Sequence, residues 1–291
     1  MKSKLVVICI VLLTGFISQL VLADEDMSEG FGSPRLENEY KIHIPLDKVG
    51  EIREYLVSEY LINQGRAIDS SFSVSTSQEI FIDTYFDTPD FKALESMGGI
   101  RHRMRFVEGK LDKQLIQIKI SDLNDSLIRE EIKFKVASDD EPKDIISTYS
   151  FFKFIREKDR EIVISTLSEL NINPLDLKSI MDIQQNRTRF YILGANNFTA
   201  TVTLDEVTSK RLFVKGKFTE LELELNEVIY TSSNATERDR MQALNNKIKS
   251  NLFDKFPYLV QDQTPKYNKM FNTLQANFPI KFLFKFLIKS V

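Results

Sequence analysis

Apolar and polar residues alternate along several stretches of the chain. In residues 35–44, Tyr40, Ile42 and Ile44 take one parity, and Glu37, Glu39 and Lys41 take the other. Alternate residues of a strand point to the same side, so this reads as a strand with one charged and one apolar face. A period of two recurs at residues 78–87, 100–107, 113–121, 127–136, 180–193, 198–207 and 217–228. Helical spacing lies between them. Val49, Ile52, Leu56 and Tyr60 follow Asp47 in steps of three and four, which predicts a helix over 47–62. Residues 65–77 read as a polar loop. Further helices are expected over 89–97, ended by Gly98-Gly99, and over 144–170, 236–253 and 265–276. About eight strands, mostly linked as neighbours with helices inserted at intervals, argue for an α+β chain with a largely antiparallel sheet.

The charged faces repeat in both signs. Arg101, Arg103 and Arg105 form one row; Gln117 and Lys119 another; Arg129, Glu131 and Lys133 a third. Arg187 and Arg189 precede Phe190, Asp205 follows Leu204, and Glu220, Glu222 and Glu224 alternate with leucines. A wet sheet face explains any one row. It explains the set poorly, because like charges one step apart repel. Divalent cations answer glutamate rows, and phosphate oxygens answer arginine rows. Either the charged faces meet bulk water, or they line the inside of a closed barrel whose outside is covered by helices; the helices supply the apolar surface that the second arrangement needs.

Composition narrows the chemistry. The chain has 291 residues, 42% of them hydrophobic, enough for a real core in one or two domains. A net charge of -3 gives no global field for double-stranded nucleic acid. Cys9 is the only cysteine, and His43 and His102 are isolated, which argues against structural zinc, a thiol nucleophile and His-dependent triads. Lys2 and Lys4, an apolar run from Leu5, and Val21-Leu22-Ala23 read as a signal peptide over 1–23, cleaved before Asp24. That implies a periplasmic or extracellular protein; the alternative is an uncleaved membrane anchor. Residues 24–34 are an acidic, flexible lead-in, 35–278 the main domain, and 279–291 a basic and apolar tail. Lys281, Lys285 and Lys289 recur every four residues there, which suits membrane-surface contact or simple packing on the barrel.

Six ordered segments resemble the CYTH family, the triphosphate tunnel metalloenzymes. Glu37-Asn38-Glu39-Tyr40-Lys41 resembles its ExExK signature. Tyr85-Phe86-Asp87-Thr88, Leu94, Gly98 and Ile100-Arg101-His102-Arg103 resemble its YxDT…L…G…LRxR segment, with His102 at a usually aliphatic position. Gln117-Ile118-Lys119, Arg129-Glu130-Glu131, Arg187-Thr188-Arg189 and the run from Asp205 through Gly216 to Glu220 and Glu222 complete the order. Glu224 adds a carboxylate, and the Phe-rich stretch over 144–170 is long for the family.

The resemblance implies an eight-stranded, mostly antiparallel closed β-barrel with helices packed outside, a tunnel that binds a triphosphate or nucleoside triphosphate with Mg2+ or Mn2+. Glu37, Glu39, Asp205, Glu220 and Glu222 are then the expected metal ligands. Lys41, Arg101, Arg103, Lys119, Arg129, Arg187 and Arg189 are expected on phosphate oxygens, with Glu37, Glu39 and Lys41 as the catalytic set. Lys41 could instead pair with Glu131 inside the wall. The implied activity is metal-dependent triphosphate hydrolysis; the alternatives are a class IV adenylate cyclase and a non-catalytic polyphosphate or nucleotide binder.

Overall fold

The computed structural model describes residues 31–121, 128–137, 151–194 and 198–289. The leader, most of the lead-in and the first part of the helix expected over 144–170 lie outside the described residues. The strands are β1 (Pro34–Ile44), β2 (Ser73–Asp87), β3 (Gly99–Val107), β4 (Lys110–Ser121), β5 (Ile128–Lys135), β6 (Lys178–Leu193), β7 (Phe198–Arg211), β8 (Val214–Leu225) and the short β9 (Val260–Gln261). The helices are α1 (Val49–Leu56), α2 (Glu59–Arg66), α3 (Lys92–Glu95), α4 (Arg160–Glu169), α5 (Glu227–Ser232), α6 (Ala235–Lys255), α7 (Lys266–Asn277) and α8 (Lys281–Lys289).

The strands form one antiparallel sheet in the order β5-β4-β3-β2-β6-β7-β8-β1-β9, with an added β1–β5 pairing. This corrects the expected eight-stranded closed barrel. A ninth strand, two residues long, lies on β1. The sheet also does not close along its length, because β1 is divided between its neighbours. Pro34–Asn38 pair with β5, whereas Glu39–Ile44 pair with β8.

Parity sorts the packing. Leu221 and Leu223 of β8, Val202 and Leu204 of β7 and Ile42 and Ile44 of β1 pack on one face against Ile52 and Leu56 of α1 and Leu244, Ile248 and Leu252 of α6. On the same face of β3, β4 and β5, Ile100, Ile116, Ile118, Ile132 and Phe134 are covered by Phe151, Phe152, Val163 and Leu167. Both blocks lie on the apolar side, as expected. His102 falls here too, stacked on Phe154 with ring centroids 4.3 Å apart, which accounts for a ring between two arginines.

α7 departs from that expectation. Phe218 and Val207 share parity with Glu220 and Asp205, so they belong to the charged face. They pack against Met270, Phe271 and Leu274 of α7. The charged face is thus apolar at one end, and α7 seals that end. A Cβ on Gly216 would lie 2.6 Å from Met270 Sδ, so the missing side chain lets the helix approach β8. Asp87 holds the same corner: its carboxylate accepts from Thr88 N, Ala93 N, Leu94 N and the Tyr267 hydroxyl. Tyr85 stacks on Tyr267 at 5.0 Å. The tail takes the packing alternative, with Phe284 and Ile288 of α8 buried beside Phe271 and Phe278.

Some boundaries differ from expectation. The 47–62 helix is broken at Ser58, whose hydroxyl accepts from Leu61 N and caps α2. β2 starts five residues early, at Ser73, because it pairs with the full length of β6. After β8, Asn226 caps α5, an element with no strong periodicity in the sequence.

Candidate functional site

The charged face collects into two nodes. The first is built on β7 and β8. Register places Asp205 opposite Glu220, and Glu222 follows two residues on, on the same side. One carboxylate oxygen from each of Asp205, Glu220 and Glu222 lies within 4.8 Å of the others. β1 adds Lys41 opposite Glu222, its Nζ 3.1 Å from both Glu222 Oε1 and Glu39 Oε1. β6 adds Arg187, which donates to both Asp205 oxygens at 2.8 and 2.7 Å and to Glu222 Oε2 at 3.0 Å.

The remaining partners come from α7. Lys266, its first residue, places Nζ 2.5 Å from Glu222 Oε1, 2.6 Å from Glu220 Oε1 and 3.0 Å from Asp205 Oδ2. One turn on, Lys269 lies 2.7 Å from Glu220 Oε2 and 2.9 Å from Asp262 Oδ2. Burial alone would raise the acid pKa values, and the cations reverse it. Lys266, Lys41 and Arg187 hold Glu222 well below the carboxylate range, and Arg187 and Lys266 lower Asp205. Burial alone would lower Lys266, but Glu220, Glu222 and Asp205 push it above the ordinary lysine range.

The second node centres on Asp83 of β2, which is fully buried. Arg103 binds it through two donors, Nε to Oδ1 and Nη2 to Oδ2, both at 2.7 Å. Arg101 Nη1 donates to Oδ2 at 3.1 Å, and the Gln185 amide donates to the same oxygen. Burial would raise this carboxyl, but Arg101 and Arg103 outweigh it and bring the pKa down to about 2. Arg101 continues through Gln117 to Glu131, which also pairs with Lys119 at 3.3 Å and Lys133 at 3.1 Å. Phe81 lies between the guanidinium groups of Arg103 at 4.4 Å and Arg187 at 5.1 Å, joining the nodes.

The expected residues therefore converge, with exceptions. Glu39, Lys41, Asp205, Arg187, Glu220 and Glu222 meet in the first node, and Arg101 and Arg103 in the second. Arg189 pairs with Glu79 at 3.3 Å, and Arg105 with Asp112. The side chains of Glu37 and Arg129 lie outside the described residues, although register sets the two opposite each other. The alternative Lys41–Glu131 pair is not formed, since Lys41 pairs with Glu39 and Glu222.

Sequence reasoning passed over Glu79, Phe81 and Asp83, whose shared parity in β2 was a legible signal. It also passed over Lys266 and Lys269, for which there was none, because a helical pattern does not say which sheet face the helix will meet. In chemistry, Asp205, Glu220 and Glu222 suit a hard divalent ion: three carboxylates within one ion's reach. The Lys266 ammonium lies at the point where their oxygens converge.

No curated protein matches the chain. Solved structures do, at low identity. A candidate adenylate cyclase from Bacillus halodurans is 16% identical, with a TM-score of 0.42, over 77% of this chain and 98% of that one. A candidate adenylyl cyclase from Hippeastrum, described as having a dominant triphosphatase activity, is 14% identical, with a TM-score of 0.40, over 79% and 92%. The RNA triphosphatase of S. pombe is 10% identical, with a TM-score of 0.37, over 81% and 91%. The CYTH domain profile matches residues 55–237, more than half of the chain, a span that holds β2 to β8 and with them Asp83, Arg101, Arg103, Arg187, Asp205, Glu220 and Glu222. The chain belongs to the CYTH domain family.

Proposed function

We propose that this protein hydrolyses a triphosphate-containing substrate, inorganic or organic, with a divalent Mg2+ or Mn2+ ion, in a channel lined by the charged sheet face. The β1–β5 seam supports a sheet wrapped around that channel. One observation carries the reading: three carboxylates within one ion's reach, Asp205, Glu220 and Glu222, share a sheet face with a row of guanidinium groups, Arg101, Arg103 and Arg187. Charges this close are costly to bury unless they are answered, and a divalent ion with a chain of phosphates answers both signs.

Lys41, Arg101, Arg103, Lys119, Arg187 and Arg189 bind the phosphate oxygens, each oriented beforehand by the carboxylate it already holds. Asp205, Glu220 and Glu222, with Glu39 beside them, would hold the ion, and the chemistry supplied there would be neutralisation of charge developing on the phosphoryl oxygens and a lowered pKa for water. Glu39 pairs with Lys41 and directs it at the node. Positioning and electrostatics supply the rate, without a covalent enzyme intermediate. The leader pattern supports export of this activity.

Phosphate release from tripolyphosphate, ATP and thiamine triphosphate, each with Mg2+ or Mn2+, tests the reading. Metal-dependent release is expected with at least one of them. A second reading, a non-catalytic polyphosphate binder, is favoured by Lys266 standing among the metal-type carboxylates. Tight tripolyphosphate binding without any release would establish that alternative, and cyclic AMP with pyrophosphate from ATP would establish a cyclase.

A further inference from the structure

Asp205, Glu220 and Glu222 surround the Lys266 ammonium much as ligands surround an ion. Of its three contacts, only that to Glu222 has hydrogen-bond geometry. Those to Glu220 and Asp205, at 2.6 and 3.0 Å, are ionic approaches. Glu220 Oε1 is buried and accepts no hydrogen bond, although the ammonium is beside it. That oxygen is satisfied by charge without direction, which is what a hard metal ion offers. Glu39, Asp205, Glu220, Glu222 and Asp262 meet Lys41, Arg187, Lys266 and Lys269, five acids against four bases. A divalent ion added among the three carboxylates would face the Lys266 ammonium at contact range.

We propose that Lys266 is a built-in competitor for the divalent cation at Asp205, Glu220 and Glu222, and that the ion enters by displacing this side chain while α7 stays docked. The identity of the rival ion as Mg2+ or Mn2+ rests on the hydrolase reading above. The helix itself does not leave. Tyr267, Met270, Phe271 and Leu274 are all buried, and exposing four large side chains costs more than exchanging an ion pair returns. Lys266 opens α7 directly after Pro265, so its long stem swings from the helix end. Asp262, which already holds Lys269, lies outside the trio and gives the displaced charge a partner. Metal affinity is then set by how tightly an amino group holds the same carboxylates, and changes at Lys266 retune it.

Mn2+ alone is the probe, titrated into the full chain and followed by electron paramagnetic resonance. Lys266→Gln is expected to bind one Mn2+ about tenfold more tightly than the wild type, as for removal of a directly competing charge. Lys266→Arg is expected to bind no more tightly than the wild type. In the wild type, acylation of Lys266 by an amine-reactive reagent, read by mass spectrometry, should rise along the Mn2+ titration. Equal affinity in Lys266→Gln and wild type, or Mn2+ bound by neither, overturns the proposal. Wild-type labelling of Lys266 that stays flat overturns it as well, and needs no variant to fold. Tripolyphosphate hydrolysis, measured in parallel, separates the two claims. Mn2+-dependent release with flat labelling keeps the hydrolase and removes the competitor; rising labelling with no release keeps the competitor and removes the hydrolase.

Discussion

The two nodes of the charged face solve opposite problems with different side chains. Around Asp205, Glu220 and Glu222 the strands supply mostly acid, and lysines from β1 and α7, with Arg187 of β6, answer it. Around Asp83 the strands supply mostly arginine, and one carboxylate with the Gln117 carbonyl answers it, while the Gln185 amide donates to the same carboxylate. An ammonium is a point charge on a flexible stem, whereas a guanidinium is a planar fork that fixes its partner's orientation. Arg103 is held in that way, by both Asp83 oxygens and by the face of Phe81. Guanidinium forks make the Asp83 node the stiffer of the two, which suits the proposed phosphate wall, and lysine stems leave the Glu220 node looser, which suits the proposed cation seat.

The contrast can be broken most forcefully at Asp83. Asp83→Ala leaves Arg101 and Arg103 buried without their shared carboxylate, and should destabilise the protein by about 3–5 kcal/mol in urea unfolding. A loss below about 1 kcal/mol would mean that the wall is held by something else. Glu39→Gln strikes the other node. It should retain the fold by circular dichroism yet lower kcat by about a hundredfold or more, as Lys41 and the ion lose a charged neighbour. Near-normal turnover would remove Glu39 from the site.

Acid titration sharpens the same comparison. The Asp83 carboxyl is lowered from 3.8 to about 2, so its contribution is complete above the unfolded value and fades as pH falls through the folded one. Stability should drop by roughly 2 kcal/mol between about pH 4 and 2 on this account. Thermal melts across that range, with Asp83→Asn showing a flatter curve, check the assignment. The smallest effect is expected at Gly216→Ala. The new methyl meets the flexible end of Met270, so a loss of about 1 kcal/mol, read as a small drop in Tm, is expected.

Much of this was legible from period-two parity. Glu39 and Lys41 on β1, Arg101 and Arg103 on β3, and Glu220 and Glu222 on β8 reach one face because residue parity fixes the side of a sheet. The same rule applied to β2 would have exposed Asp83, the acid that makes the arginine row tolerable. Lys266 was not legible. Its place depends on α7 crossing to the charged face, where Gly216, Phe218 and Val207 make an apolar landing at the end of strands that are polar further along. The ninth strand was equally hidden, because two residues carry no period. Asp87, read within a family signature, serves as an anchor for α3 and α7.

The division of β1 between β5 and β8 bears on how the molecule is made. β1 finds its β8 partners only after residue 214 has been synthesised. The Thr219 hydroxyl bonds the Ile44 carbonyl across 175 positions of chain. Such distant pairings make folding slow, since loop closure must precede reward. A nascent chain halted before β8 would carry Glu39 and Lys41 on a strand whose second half has no β8 to pair with. Assembly of the Asp205, Glu220 and Glu222 node is therefore a late event in folding, completed only once α7 follows.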